Sequence, residues 1–121
     1  MAENITVDPK DAEDNKVMAI LAYLGFPLVL VPIFAAKESP FARFHANQGI
    51  VMCIAIFAIG TVAAILGTIL AFISISLALI AYALYSIAGL GFFVLMVMGI
   101  LNVIKGEAKE LPIIGKYQII K

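Results

Sequence analysis

Two apolar runs set the pattern of the chain. From Val17 to Ala36 twenty residues pass without a formal charge, and from Ala46 to Ile104 fifty-nine more do so. At 1.5 Å per residue the first run has the length to cross about 30 Å of hydrocarbon as one helix. The second would reach about 88 Å as a single helix, so it has to turn back. Its clearest polar pair is Ser74 and Ser76, which places the reversal near residues 72–77. The pattern therefore predicts an all-α integral membrane protein with three spans over about 17–36, 46–72 and 77–104. A four-span alternative turns at Leu66-Gly67-Thr68 and at Ala88-Gly89-Leu90-Gly91, leaving residues 92–104 as a last segment of only about 20 Å.

Between the runs lies a short charged mouth, residues 37–49, that reads as the start of the second span. Ser39 suits an N-cap, accepting a free backbone N–H of the first turn, and Pro40 suits the first helical position, where no N–H is needed. On the helix that follows, Phe41, His45, Gln48 and Met52 fall near one face, while Arg43 and Asn47 project from another. Arg43 belongs at headgroup level because a central arginine is costly in lipid. His45 and Gln48 are expected to make structural or interfacial hydrogen bonds. In the first span Pro27 and Pro32 predict a kink, with the carbonyls of Tyr23 and Leu28 left for Gln48 or a neighbouring helix to satisfy. Gly49, Gly60 and Gly67 with Cys53, Ala63 and Ala71 form a small-residue stripe on the second span. Ala78, Ala81 and Ala88 lie on a seam of the third, and the two faces are expected to meet.

Composition agrees with lipid as the folding medium: 64% of residues are hydrophobic and 13% charged, against roughly 45–50% and 25% in soluble domains. The net charge of zero gives no basic face for a nucleic acid. A single cysteine, Cys53, forms no internal disulfide, and no His, Cys or acidic cluster has the spacing of a metal site, so no metal or cofactor is expected. Residues 1–16 form a polar, acidic tail in which Asp8-Pro9 offers another helix start, and its acids do not suit a signal or transit peptide. After Ile104, Lys105-Gly106 is a helix stop, and residues 105–121 alternate lysines with Leu111, Ile113, Ile114, Tyr117, Ile119 and Ile120 as an amphipathic tail on the membrane surface. Three spans place Lys37, Arg43, Lys105, Lys109, Lys116 and Lys121 on one side against Lys10 and Lys16 on the other. The mouth and the C-terminus should then face the cytoplasm across the cell (inner) membrane, with the acidic tail outside.

The mouth Ser39-Pro40-Phe41-Ala42-Arg43-Phe44-His45-Ala46-Asn47-Gln48, with Lys105-Gly106-Glu107 and Leu111-Pro112-Ile113-Ile114-Gly115, resembles a family of small bacterial and archaeal membrane proteins of unknown function. That family is grouped with the plastid import component called Tic-twenty-like and with the magnetosome proteins MamF and MmsF. The resemblance covers residues 17 to about 116. It implies three or four membrane helices, marks Phe44, His45 and Gln48 as signature positions, and brings no agreed activity. The chain departs from the plastid members in their long N-terminal extension, which counts against an import role.

One His, one Cys and no acid within the spans assemble neither a triad nor a metal centre, so the chain does not read as an enzyme. The expected function is a small membrane scaffold or assembly protein, whose partners are the bilayer and a second copy or another membrane protein. The alternative is a subunit of an oligomeric translocation or transport path, for which the uncharged spans alone supply no polar conduit.

Overall fold

The computed structural model describes residues 6–120; residues 1–5 of the acidic tail and Lys121 lie outside the description. Five helices follow in order: α1 (Pro9–Asp14), α2 (Lys16–Leu21), α3 (Leu30–Ala35), α4 (Pro40–Ile73) and α5 (Ile75–Ile104). Among the described residues there is no strand. Two helices, α4 and α5, are long and apolar enough to cross a membrane.

The start of α4 is the capped mouth expected from the sequence. The Ser39 hydroxyl accepts from the Ala42 N–H at 3.0 Å, and Pro40 is the first helical residue. The helix then runs unbroken to Ile73, Ser74 adopts an extended conformation, and α5 begins at Ile75. The reversal thus falls at Ser74. Leu66-Gly67-Thr68 and Ala88-Gly89-Leu90-Gly91, the turns of the four-span alternative, both lie inside continuous helix. At the far end Lys105 closes α5, and Gly106 takes φ +71, a left-handed conformation that glycine adopts without Cβ cost.

The first apolar run departs from expectation. Residues 17–36 do not form one kinked span but two short helices, α2 and α3, joined by a turn in which Gly25 has φ +95. Pro27 sits in that turn. Pro32 sits in the first turn of α3, where its missing N–H has no intrahelical carbonyl to meet. The Leu28 carbonyl, expected to be left without a partner, accepts from the Val31 N–H at 3.1 Å. Neither proline kinks a continuous helix, because both lie where a helix is starting or absent.

Burial divides the molecule in two. From Phe41 to Met52 nearly every residue of α4 is buried, and beyond Cys53 nearly every one is exposed. The buried part is the centre of a cap. There α1, α2, α3 and residues 106–120 pack around the start of α4 and the end of α5, with Tyr23, Phe41, Phe44, Met52, Val103, Leu111 and Ile114 in its core. The exposed part is a bare hairpin of the two arms, on which Phe57 and Phe72 are 76% and 90% exposed. The twenty-one residues from Cys53 to Ile73 rise about 32 Å, close to the hydrocarbon thickness. Hydroxyls on the arms bond back within their own helices, Thr61 to the Phe57 carbonyl at 2.8 Å, Thr68 to Ala64 at 2.7 Å and Ser86 to Tyr82 at 3.0 Å. Such self-satisfaction is what polar side chains need beside lipid.

Three-span threading puts the acidic tail and the mouth on opposite faces of the membrane; the structure brings them into contact. Asp11 of α1 accepts from the Ser39 hydroxyl at 2.5 Å and from the Phe41 N–H at 3.1 Å. One carboxylate therefore ties α1 to the first turn of α4, where the helix dipole favours negative charge. The small residues of α4 meet α5 in part, Gly60 falling against Tyr85, a residue of the expected seam. Gly49 lies against the backbone of Ala22, the residue that ends α2, while Gly60 and Gly67 lie under the rings of Tyr85 and Tyr82. Ala78 is buried, and Ala81 and Ala88 line an open groove between the arms.

Replacing Gly49 with Ala would put a Cβ on the Ala22 carbonyl, and replacing Gly99 would put one into the Tyr23 ring, whereas Gly89 has open space around it. We expect Gly49→Ala and Gly99→Ala each to destabilise the cap by about 1–3 kcal/mol and Gly89→Ala to leave it unchanged, as read by thermal unfolding in mild detergent. Equal midpoints for all three variants would contradict this packing.

Candidate functional site

The polar residues of the mouth converge on the C-terminal segment. His45 is wholly buried, and both of its ring nitrogens are used. Nε2 lies 2.9 Å from the Glu107 carbonyl oxygen, which can only accept, so Nε2 carries the proton. Nδ1 is then the acceptor, and the Tyr23 hydroxyl donates to it at 2.6 Å. The Tyr23 oxygen in turn accepts from Gln48 Nε2 at 2.7 Å. Gln48 completes its set with Oε1, which accepts from the Leu111 N–H at 2.7 Å, and with a longer contact of 3.4 Å from Nε2 to the Lys109 carbonyl. One chain of bonds thus runs from the backbone at 111 through Gln48, Tyr23 and His45 to the backbone at 107.

Asn47 makes a second, separate grip. Its Nδ2 donates to the Tyr117 carbonyl at 2.8 Å, and its Oδ1 accepts from the Ile119 and Ile120 N–H groups at 2.6 and 3.0 Å. Helix spacing explains how neighbours divide this work. Residues 45 and 48 lie one turn apart on the face toward α2 and residues 107–111, and residue 47 is rotated toward 117–120. Arg43 is half-buried beside them and takes no part in either grip.

Aromatic rings wall the imidazole. Tyr23, Phe41 and Phe44 meet it edge-on, with centroids 5.4, 4.8 and 5.3 Å away. Burial among them pushes the His45 pKa from 6.5 down to about 4, and the bond to the Glu107 carbonyl opposes that only in part. The imidazole is therefore neutral at physiological pH and acts as a donor and acceptor of fixed direction. Among the described residues no three His, Cys, Asp or Glu side chains converge as a metal-binding set. The mouth holds backbone: its side-chain donors and acceptors are directed at residues 107–120.

Of the residues singled out in the sequence, Phe41, Phe44, His45, Asn47 and Gln48 meet in this site. For Gln48 the sequence offers carbonyls freed by Pro27 or Pro32, or a residue of a partner helix; it bonds the Tyr23 hydroxyl, together with the backbone of Lys109 and Leu111, and not those carbonyls. Two participants were missed. Tyr23 stands 22 positions before His45, and its sign was a lone polar group in an otherwise apolar run. Asp11 gave only the ordinary sign of an acid in a helix first turn, with no hint that it also caps α4.

Comparison with known proteins adds the following. The profile of the magnetosome magnetite crystal formation protein family matches residues 14–118. The magnetosome protein MamF of Magnetospirillum gryphiswaldense is 30% identical over 95% of this chain and 95% of its own length. The magnetosome protein MmsF of Paramagnetospirillum magneticum is 28% identical over 82% of this chain and 80% of its own. A membrane protein of Methanocaldococcus jannaschii, given no role in its name, is 31% identical over 84% and 83%. No solved structure matches the chain.

Two outcomes follow from the site. Below pH 6.5 the unfolded chain protonates His45 while the folded chain resists until about pH 4, so the cap should lose stability as pH falls across that interval, and His45→Gln should flatten the dependence. Unfolding midpoints at pH 7, 5.5 and 4 in detergent test this. Gln48→Leu leaves the Leu111 N–H and the Tyr23 oxygen short of partners and should cost about 1–3 kcal/mol, read in the same assay; an unchanged midpoint would mean the bond chain contributes nothing.

Proposed function

Because the chain belongs to the magnetosome magnetite crystal formation protein family, we propose that it is a small non-catalytic membrane scaffold, anchored by the α4–α5 hairpin and presenting its cap to partners at one membrane face. The observation that carries this reading is the way the cap's polar side chains are committed. His45, Asn47 and Gln48, all buried, direct their donors and acceptors to backbone and to Tyr23, so their polar groups hold the cap together. The names of two relatives add a setting, the magnetosome, the family's description adds magnetite crystal formation, and the methanogen relative adds only the membrane.

The membrane arrangement we propose is a two-span hairpin with the α2–α3 turn dipping beside it. At that turn Leu24, Phe26 and Leu28 are exposed, and Leu24 and Gly25 share with Met52 and Ile56 of α4 a groove of about 310 Å³. A broken helix pair at this depth suits a re-entrant segment that stays on the side it enters from, since its irregular backbone is packed against protein. All the described lysines and Arg43 then lie with the cap, and the Ser74 end carries none. The cation bias favours a cytoplasmic cap, with α1 and residues 106–120 on that side.

Single cysteines placed in a Cys53→Ser background check the arrangement. With a membrane-impermeant maleimide on intact cells, Ser74→Cys should label from outside, while Lys10→Cys and Lys105→Cys should label only after permeabilisation. Outside labelling of Lys10→Cys alone would restore the three-span threading. For the scaffold role, mass measurement of the protein extracted from native membranes in mild detergent should find it in complexes; a strictly solitary chain would refute it.

A further inference from the structure

The two grips on the C-terminal segment leave Arg43 out. It is half-buried, and its guanidinium has no hydrogen-bond or ion-pair partner among the described residues. Two acids of the cap are engaged elsewhere, Asp11 with Ser39 and the Phe41 N–H, and Glu107 with Lys109 at 3.1 Å. A guanidinium drawn partly out of water without a partner is costly, and its donors form a fork that fits phosphate. The hairpin sets its depth. Arg43 stands thirty-one residues before Ser74, about 46 Å along α4, against about 40–45 Å for a bilayer with its headgroups. With the Ser74 bend among the headgroups of one leaflet, Arg43 lies among those of the other.

The residues beside it follow the same order of depth. Asn47, one turn further into the membrane on the Arg43 face, holds the backbone at Tyr117, Ile119 and Ile120. Lys116 therefore comes alongside, with its ammonium 5.3 Å from the centre of the Tyr117 ring. The Tyr117 and Ile119 side chains are about half exposed, and Ile120 packs in the cluster that holds Cys53, where the bare arm begins. Cations, an aromatic ring and an aliphatic side chain thus stand in the order in which a phospholipid presents its phosphate, its glycerol esters and its acyl chains.

We propose that this strip binds one anionic phospholipid, with the Arg43 fork and the Lys116 ammonium on its phosphate, the Tyr117 ring at the level of the esters and Ile119 against the upper acyl chain. Two cations side by side favour an anionic headgroup over a zwitterionic one, whose own cation they repel. The Asn47 grip fits this use: it takes the backbone and leaves the Tyr117 and Ile119 side chains facing outward. The inference rests on the bilayer placement of the hairpin proposed above and adds a ligand that the scaffold reading does not name.

The test gives the full-length chain in mild detergent equal amounts of phosphatidylglycerol and phosphatidylcholine with identical acyl chains and reads the retained lipid by native mass measurement. One phosphatidylglycerol should be held in preference. Lys116→Gln, a change at an exposed residue outside the cap core, should cut that preference about fivefold, and Arg43→Gln combined with it should abolish the preference. Lys105→Gln, which removes another exposed cation of the cap, should leave it unchanged. Equal retention of the two lipids overturns the site. So does an equal loss in Lys116→Gln and Lys105→Gln, which would mean general attraction to charge. Inorganic phosphate in excess should not displace the lipid; displacement would assign the strip to a free anion and overturn the lipid. None of these outcomes bears on whether native membranes hold the chain in complexes, so the scaffold reading is judged apart from them.

Discussion

A backbone that leaves its helix close to lipid has to find hydrogen-bond partners, because the medium offers none. In this protein three side chains within four residues of α4 supply them. His45, Gln48 and Asn47 meet carbonyl and amide groups of residues 107–120, and Tyr23 is locked into the same chain of bonds from the other side. Everything distinctive about the cap follows from that constraint. The C-terminal segment can be irregular, α2 and α3 can be short, and α4 can emerge directly from a polar mouth into bare apolar arms.

The parts of this architecture that were legible in the sequence are those whose cause is local. Ser39-Pro40 starts α4, Asp8-Pro9 starts α1, and Lys105-Gly106 ends α5, each by chemistry that a few neighbouring residues specify. The reversal at Ser74 was visible because a run of fifty-nine uncharged residues cannot stay straight in a bilayer. The fate of residues 17–36 was not visible. Their length and apolarity match a span, and what breaks them is partnership: Tyr23 turns inward to His45 and the Gly99 surface, and Ala22 presses on Gly49. Hydropathy scores a residue by its own transfer energy and carries no record of a partner 22 positions away.

The same limit governs the site. The mouth residues stood out as a cluster, since polar groups at the edge of an apolar run are conspicuous, but their role could be read only once the tail was folded onto them. A histidine near a membrane surface invites a proton or metal reading on chemistry alone. Here both nitrogens are spoken for and three aromatic rings surround the imidazole, so its contribution is direction and fit. The chain belongs to a family whose relatives include a membrane protein, and Phe44, His45 and Gln48, the positions that the resemblance marks, all meet in this site.

The bend at Ser74 has a bearing on how the molecule is made. A single extended serine, flanked by Ile73 and Ile75, separates the two arms, with no charged loop at the tip. A ribosome therefore delivers one greasy wedge whose leading edge asks for almost no dehydration work. In the two-span arrangement proposed above, both arms slide into the bilayer together during biosynthesis, and the cap closes behind them without any hydrophilic stretch having been hauled to the far side.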